Sequence, residues 1–314
     1  MEGKSDMWTK ERLVEDLREL GLREGGNVLA HTSLRSIGKI EGGAETLVEA
    51  FREVLGPTGT LLVPTFTFDH VDPTSSEHRD ASPIDLERMR TLVPPYEETL
   101  PASSVRWTGV FPDVVRQQPD SVSSRHPLVS FAAIGANAAF LTQNTPYHYP
   151  LGSNSPLARL HQIGGDILLI GVSHRVNTSL YLAEIWADVP YIHRSCRLKM
   201  GVSSSYLRDA GEMEVIEDST IDVNEIRGLT EWATIKGSPE CSEGFAKIES
   251  LLRQARVLKT GTLGNAACQR MQQRAVVSMA VAMLSGDSAA LLCSRPDCNP
   301  CAIARKFTAE QSKY

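Results

Sequence analysis

Two unbroken apolar runs, TLLVP within GTLLVPTFTFD (residues 59–69) and ILLI within GGDILLIGV (residues 164–172), constrain this chain most. Neither alternates apolar with polar residues, so each reads as a strand covered on both faces. A shorter apolar strand is expected at residues 28–30. Helical spacing lies around these strands. TKERLVEDLREL (9–20) is apolar at 13, 14, 17 and 20; EGGAETLVEAFREVLG is apolar at 47, 48, 51, 54 and 55 and is stopped by Gly56 and Pro57. TSLYLAEIWADV follows the second run as another helix, and ACQRMQQRAVVSMAVAML reads as a final one. Such alternation implies an α/β protein with helices on both faces of its sheet. Residues 70–101 are polar and proline-rich and read as a long surface excursion, a lid or substrate loop. YLRDAGEMEVIED reads as a hairpin turning at residues 209–211.

The 314 residues suit one large α/β domain. The longest apolar run, residues 275–284, is far short of the roughly 20 residues that span a bilayer. The amino-terminal MEGKSDMWTKERLVEDL has no apolar signal core, so a cytoplasmic protein is expected, with no membrane partner. A net charge of −6 argues against a nucleic-acid partner, which needs a basic footprint, and suits a cationic small molecule. Of six cysteines, Cys196, Cys241 and Cys268 are dispersed, while Cys293, Cys298 and Cys301 stand as C-x4-C-x2-C. Without export, a disulfide framework is not expected. The three clustered thiols offer a partial structural zinc set, to be completed by Cys268 or a histidine; a terminal segment with free cysteines is the alternative.

Candidate chemistry gathers at strand ends, where ligands of open α/β sheets bind. LAHTSLRSIGKIEGG sets His31, Thr32, Ser33 and Arg35 between a strand and a helix, without a Walker or Rossmann fingerprint. PTFTFD ends the next strand with Thr65, Thr67 and Asp69; SRHPLVSF supplies His126 and Ser130. In NTSLYLAEIWADVP, Tyr181 and Glu184 are three residues apart on one helix face, a spacing that suits a base and the carboxylate that orients it. Trp186 and Tyr191 read as packing residues.

HTSLRSIG, GGAETLVEAFREVLGPTGTLLVPTFTFD, SRHPLVSFAAIGANA, YPLGSNSPLARL, GGDILLIGV and NTSLYLAE occur in this order. Together, from about residue 10 to about residue 285, they resemble the aminoglycoside 3-N-acetyltransferase family, which is distinct from the common GNAT acetyltransferases. The resemblance implies a three-layer α/β/α fold with a mixed, largely parallel central sheet, acetyl-CoA as donor, and acetyl transfer to an amine of an aminocyclitol antibiotic. It implies that His31, Thr32, Ser33, Leu34, Arg35 and Ile37 hold coenzyme A, with Ser130 and Phe131 lining the donor site. Thr67 would stabilise the oxyanion and Asp69 would face the cationic acceptor. Residues 1–285 would form the family domain and 286–314 a cysteine-containing tail; whether the chain forms a homodimer is left open.

Glu184 matches the glutamate of the family's His-x-x-Glu pair, but Tyr181 stands where the family has histidine. Neutral imidazole takes up a proton near neutral pH; a tyrosine hydroxyl, with an ordinary pKa near about 10, does not readily do so. Three readings follow: an acyltransferase with another base (His126, His174 or Glu184 through a water), an acceptor less basic than an aminoglycoside amine, or an acyl-CoA-binding protein with little turnover. His174, in the loop before the helix, is also a candidate substrate contact.

Overall fold

A computed structural model describes residues 7–74, 82–97, 105–193, 195–201, 232–237 and 241–311. In chain order its elements are α1 (Lys10–Glu19), β1 (Asn27–Thr32), α2 (Leu34–Ile37), α3 (Ala44–Leu55), β2 (Thr60–Phe66), α4 (Pro83–Leu92), α5 (Val105–Thr108) and α6 (Val110–Arg116). There follow β3 (Val122–Ser123), β4 (Val129–Gly135), α7 (Ala138–Thr142), α8 (Pro156–Gln162), β5 (Asp166–Ile170), α9 (Ser179–Trp186), β6 (Ser195–Lys199) and β7 (Trp232–Lys236). The last described elements are α10 (Ile248–Gln254), β8 (Lys259–Leu263), β9 (Ala266–Gln272), α11 (Gln273–Gly286) and α12 (Asn299–Gln311).

Seven strands form one sheet in the order β3-β4-β2-β1-β5-β9-β8, and β6 with β7 forms a small antiparallel sheet. The sheet is mixed, as expected. Its parallel pairs are confined to the centre, β2 with β1 and β1 with β5; the four outer pairings are antiparallel. Successive side chains on a strand point to opposite faces, and this alternation builds two cores. Val28, Ala30, Leu61, Val63, Leu168 and Ile170 pack with Leu13, Leu17, Phe51 and Phe111 of α1, α3 and α6. Leu29, Leu62, Ile167, Leu169 and Phe131 face Leu157, Leu180, Val277 and Leu284 of α8, α9 and α11. The apolar runs are unbroken because both faces of each central strand are covered. Truncating Leu62, fully buried between these layers, would cost about 2–5 kcal/mol.

Two readings of the sequence change. The helix expected from Ala267 does not begin there, nor is it the last, since α12 follows: residues 266–272 are β9, paired antiparallel with β5 from Asp166↔Gln272 to Ile170↔Cys268. Its local pattern does not reveal a sheet partner a hundred residues earlier. The excursion after residue 70 contains a helix, α4, whose Ser82 caps the Asp85 N–H and whose Pro83 fits the first turn. Bridges Val71↔Leu198 and Tyr96↔Met200 tie its flanks to the β6–β7 side. The hairpin expected at 209–211 lies outside the described residues. Residues 286–311 share the core of the main body through Leu291, Cys293, Cys301 and Ala304. Among the described residues, no helix is long and apolar enough to cross a membrane.

Candidate active site

The carboxyl ends of β2, β1 and β5 meet one end of the sheet, where the connection leaving β1 runs to β2 on one side and the chain leaving β5 goes on to β9 on the other, a place where open α/β sheets bind ligands. Pro64 brings no N–H to β2, and hydrogen-bonded register with β1 runs only through Leu29↔Leu62. Beyond that point Thr32 Oγ1 and Thr65 Oγ1 are buried without a protein partner among the described residues. Buried hydroxyls normally have partners; these two are suited to a polar ligand entering at the edge. Ser130 is in register with Thr65 on β4, its Oγ 3.3 Å from Ser124 Oγ.

The turn after β1 lies over the end of β5. Ser33 N–H donates to Ile170 O at 2.9 Å, and Ser36 Oγ donates to Gly171 O at 3.3 Å. Gly171 has φ 62°, and a side chain there would collide with Ser36, so glycine is required for this close approach. Arg35 is exposed and Leu34 is partly buried. Two expected donor-site residues face elsewhere. Ile37 is fully buried in the α1–α3 core, and Phe131 stacks edge-on against Phe66 at 5.3 Å in the opposite core. Since neighbours on a strand point to opposite faces, Ser130 and Phe131 cannot both line one site with their side chains.

The three histidines expected at the rim are all buried. His126 Nδ1 accepts from the backbone N–H groups of Leu128 and Val129 at 3.1 Å each. Its proton is therefore on Nε2, which donates to Tyr147 O at 3.0 Å. Burial lowers its pKa to about 4. His126 fastens the loop into β4; it has no lone pair left to serve as a base. His174 is equally committed: Asn177 Nδ2 donates to Nδ1 at 3.2 Å, and Nε2 donates to Gln269 Oε1 at 3.0 Å. Gln269 in turn donates to Glu249 at 2.9 Å. This makes His174 a fastener between β9 and the α9 entry rather than a substrate contact. His31 Nε2 lies 3.3 Å from Thr178 Oγ1, and burial, with His174 nearby, lowers its pKa to about 3.

Helix α9 carries the remaining pair. Glu184 is buried, and its Oε1 accepts from Tyr191 Oη–H at 3.0 Å. Burial raises the Glu184 pKa to about 8, with the Tyr191 hydrogen bond opposing the shift. Tyr191 is pushed strongly up by burial and by that carboxylate. The sequence marks Tyr191 only as packing; its seven-residue separation from Glu184 carries no local signal of the contact. Tyr181 is half-buried, with its ring edge-on to Phe245 at 4.8 Å. On the other flank, Thr67 N–H donates to Leu128 O, and its Oγ1 accepts from Asp69 N–H at 3.4 Å. Asp69 Oδ1 accepts from Trp107 Nε1 at 3.0 Å and lies 3.5 Å from Arg106 NH1. An incoming cation would compete with Arg106 for this carboxylate.

The cysteines differ from expectation in one member. Cys241, Cys293, Cys298 and Cys301 place their Sγ atoms within 4.8 Å of one another. Cys268 is buried on β9, in the opposite core, and is not part of the group.

A mixed sheet whose strand ends carry unpartnered buried hydroxyls, with a buried carboxylate of raised pKa on α9, marks an α/β protein with a candidate ligand-binding edge. The family model for aminoglycoside 3-N-acetyltransferase matches residues 29–285. Aminoglycoside N(3)-acetyltransferase VII of Streptomyces paromomycinus is 33% identical over 276 residues, 88% of this chain and 91% of that protein. The apoenzyme structure of aminoglycoside acetyltransferase AAC(3)-IVa is similar with a TM-score of 0.72 and 27% identity, covering 97% of this chain and all of that one. AAC-IIIb, solved as a binary complex with CoASH, shares the fold with a TM-score of 0.69 at 24% identity, covering 89% of this chain and 97% of that one. The chain belongs to the aminoglycoside 3-N-acetyltransferase family, and is thus an acyltransferase by family.

Proposed function

We propose that this protein transfers the acetyl group of acetyl-CoA to an amine of an aminoglycoside, with Glu184 as proton acceptor and Tyr181 in the place of the family's histidine. The observation that carries this reading is Glu184 itself: a buried carboxyl with its pKa near 8 matches the task of a general base close to neutral pH. Acetyl-CoA is a substrate here. The HTSLRS turn and the hydroxyls of Thr32, Thr65 and Ser130 suit its polar groups, and the CoASH complex of a protein with this fold supports a coenzyme A ligand.

An aminoglycoside ammonium gives one proton to the Glu184 carboxylate. The freed amine attacks the thioester carbonyl carbon, and the carbonyl pair moves onto oxygen, where the Thr67 hydroxyl is a candidate donor. Collapse of the intermediate breaks the C–S bond. The nitrogen loses its second proton as the thiolate gains one, a transfer suited to the Tyr181 hydroxyl, which can pass a proton without holding the charge. N-acetylated amine and coenzyme A leave; Glu184 returns its proton to solvent. Asp69 supplies negative charge on the acceptor side. A structural zinc at the C-terminal thiols would stand outside this transfer. In a cell, such acetylation would confer aminoglycoside resistance.

The test is thiol release from acetyl-CoA with a panel of aminoglycosides, on wild type, Glu184→Gln, Tyr181→Phe and Tyr181→His. Release by wild type that is lost in Glu184→Gln supports the reading. A silent wild type with an active Tyr181→His would leave the fold's substrates in place but remove Glu184 as the base.

A further inference from the structure

We propose that Cys241, Cys293, Cys298 and Cys301 bind one structural zinc ion, which fastens the wall behind α9. This inference does not depend on the acetyl-transfer reading.

Tetrahedral zinc holds thiolates at about 2.3 Å, which sets the sulfur atoms about 3.8 Å apart. Four Sγ atoms within 4.8 Å of one another are already close to that arrangement. A cubane iron–sulfur cluster, with one thiolate on each of four irons, would hold them farther apart. The ligand count is also complete. A structural zinc site is closed by four protein ligands, and a set of four thiolates leaves no open position for substrate.

The chain around the thiols is built to hold them together. Cys298 immediately precedes α12 and Cys301 lies in its first turn, where the helix amino terminus favours negative sulfur. Cys293 N–H points at Cys301 Sγ at 3.3 Å, an outer contact of the kind that orients metal ligands. Arg305 donates to Cys293 O at 2.8 Å from α12, and Lys247 donates to Leu292 O at 2.5 Å from the turn after Cys241. Both cations would offset the net negative charge of a zinc with four thiolates. Gly244 lets the Cys241 turn reach the Cys293 loop. A Cβ there would fall 2.6 Å from the Leu292 carbonyl carbon and 2.7 Å from the Cys293 nitrogen, closer than any real side chain allows.

The same segments support α9. The turn Glu243–Lys247 carries Phe245 against Tyr181 and packs on the turn His174–Val176, with Arg175 and Glu243 paired at 3.2 Å. Helix α12 packs on the turn Pro190–His193, which carries Tyr191 to Glu184. One ion joining residue 241 to residues 293–301 would therefore pin both supports of the Tyr181–Glu184 face.

The experiment is metal analysis of the full-length protein, purified with reductant and without chelator after growth in zinc-supplemented medium, for wild type, Cys241→Ser and Cys268→Ser. We expect about one zinc per chain in wild type and Cys268→Ser, and at least a five-fold loss in Cys241→Ser. Stripping zinc from wild type with 1,10-phenanthroline should lower the melting temperature by more than about 5 °C, restored by added zinc. Should Cys241→Ser fail to fold, the wild-type stoichiometry and the strip-and-restore measurement decide alone. Less than about a tenth of a zinc per chain in wild type overturns the proposal. So does stoichiometric iron, or a denatured-state thiol count showing these cysteines paired as disulfides.

Discussion

The strand-end rim and helix α9 both bury ionisable side chains, and they use them in opposite ways. At the rim, His126 and His174 have each ring nitrogen bonded to a protein group, and burial keeps both neutral. On α9, Glu184 has one described partner, Tyr191, and burial brings its pKa to about 8, into the working range. A base requires a free lone pair near the substrate, and residue type alone does not provide one. His126 and His174 are fasteners, which is why the proposed reading turns to the carboxylate of Glu184.

The sharpest test of this contrast is Glu184→Gln, which should lower kcat by a factor of about 10²–10⁴ and leave coenzyme A affinity unchanged in calorimetry. If Glu184 is the base, kcat/KM for wild type should rise with pH through an apparent pKa near 8, since the carboxylate must be ionised to accept a proton.

His126→Ala should act on stability instead. It leaves two backbone N–H groups and the Tyr147 carbonyl short of a buried partner, at a cost of about 2–4 kcal/mol in denaturant unfolding. Its alkaline activity limb should not move; loss of that limb would restore His126 as a candidate base. The histidines also fix the sign of acid sensitivity. His31 and His126 have folded pKa values of about 3 and about 4, below the ordinary 6.5. Their contribution is therefore present above pH 6.5 and is lost as pH falls from 6.5 toward those values. Unfolding followed at pH 7 and pH 5 should show wild type losing stability on acidification, and His126→Gln losing less.

Tyr191→Phe should have a smaller effect. Its hydroxyl favours the charged form of Glu184, so removing it should raise the pH at which activity appears, by up to about one unit in the kcat/KM profile. Arg106→Ala should do least. Arg106 is mostly exposed beside Asp69, so its removal should lower the KM for a cationic acceptor by only a few-fold, without changing kcat.

Much of the layered fold could be read locally. The unbroken apolar runs at 60–64 and 167–170 mark strands covered on both faces, and the helical spacings of α1 and α3 are those of the buried residues Leu13, Leu17, Leu47 and Phe51. The C-x4-C-x2-C group and the Tyr181–Glu184 spacing were equally visible, because each lies within a few residues. Strand and helix type, the family motifs and the residue types available at the site are therefore legible locally, because each depends on neighbours along the chain. Tertiary structure alone decided that residues 266–272 pair with β5, that Tyr191 reaches Glu184, that the histidine nitrogens are occupied, and that Cys241 rather than Cys268 joins the terminal thiols. Each of these depends on a contact made after folding, between groups whose separation along the chain says nothing about their distance in space, and on burial, which shifts a pKa only once water has been excluded.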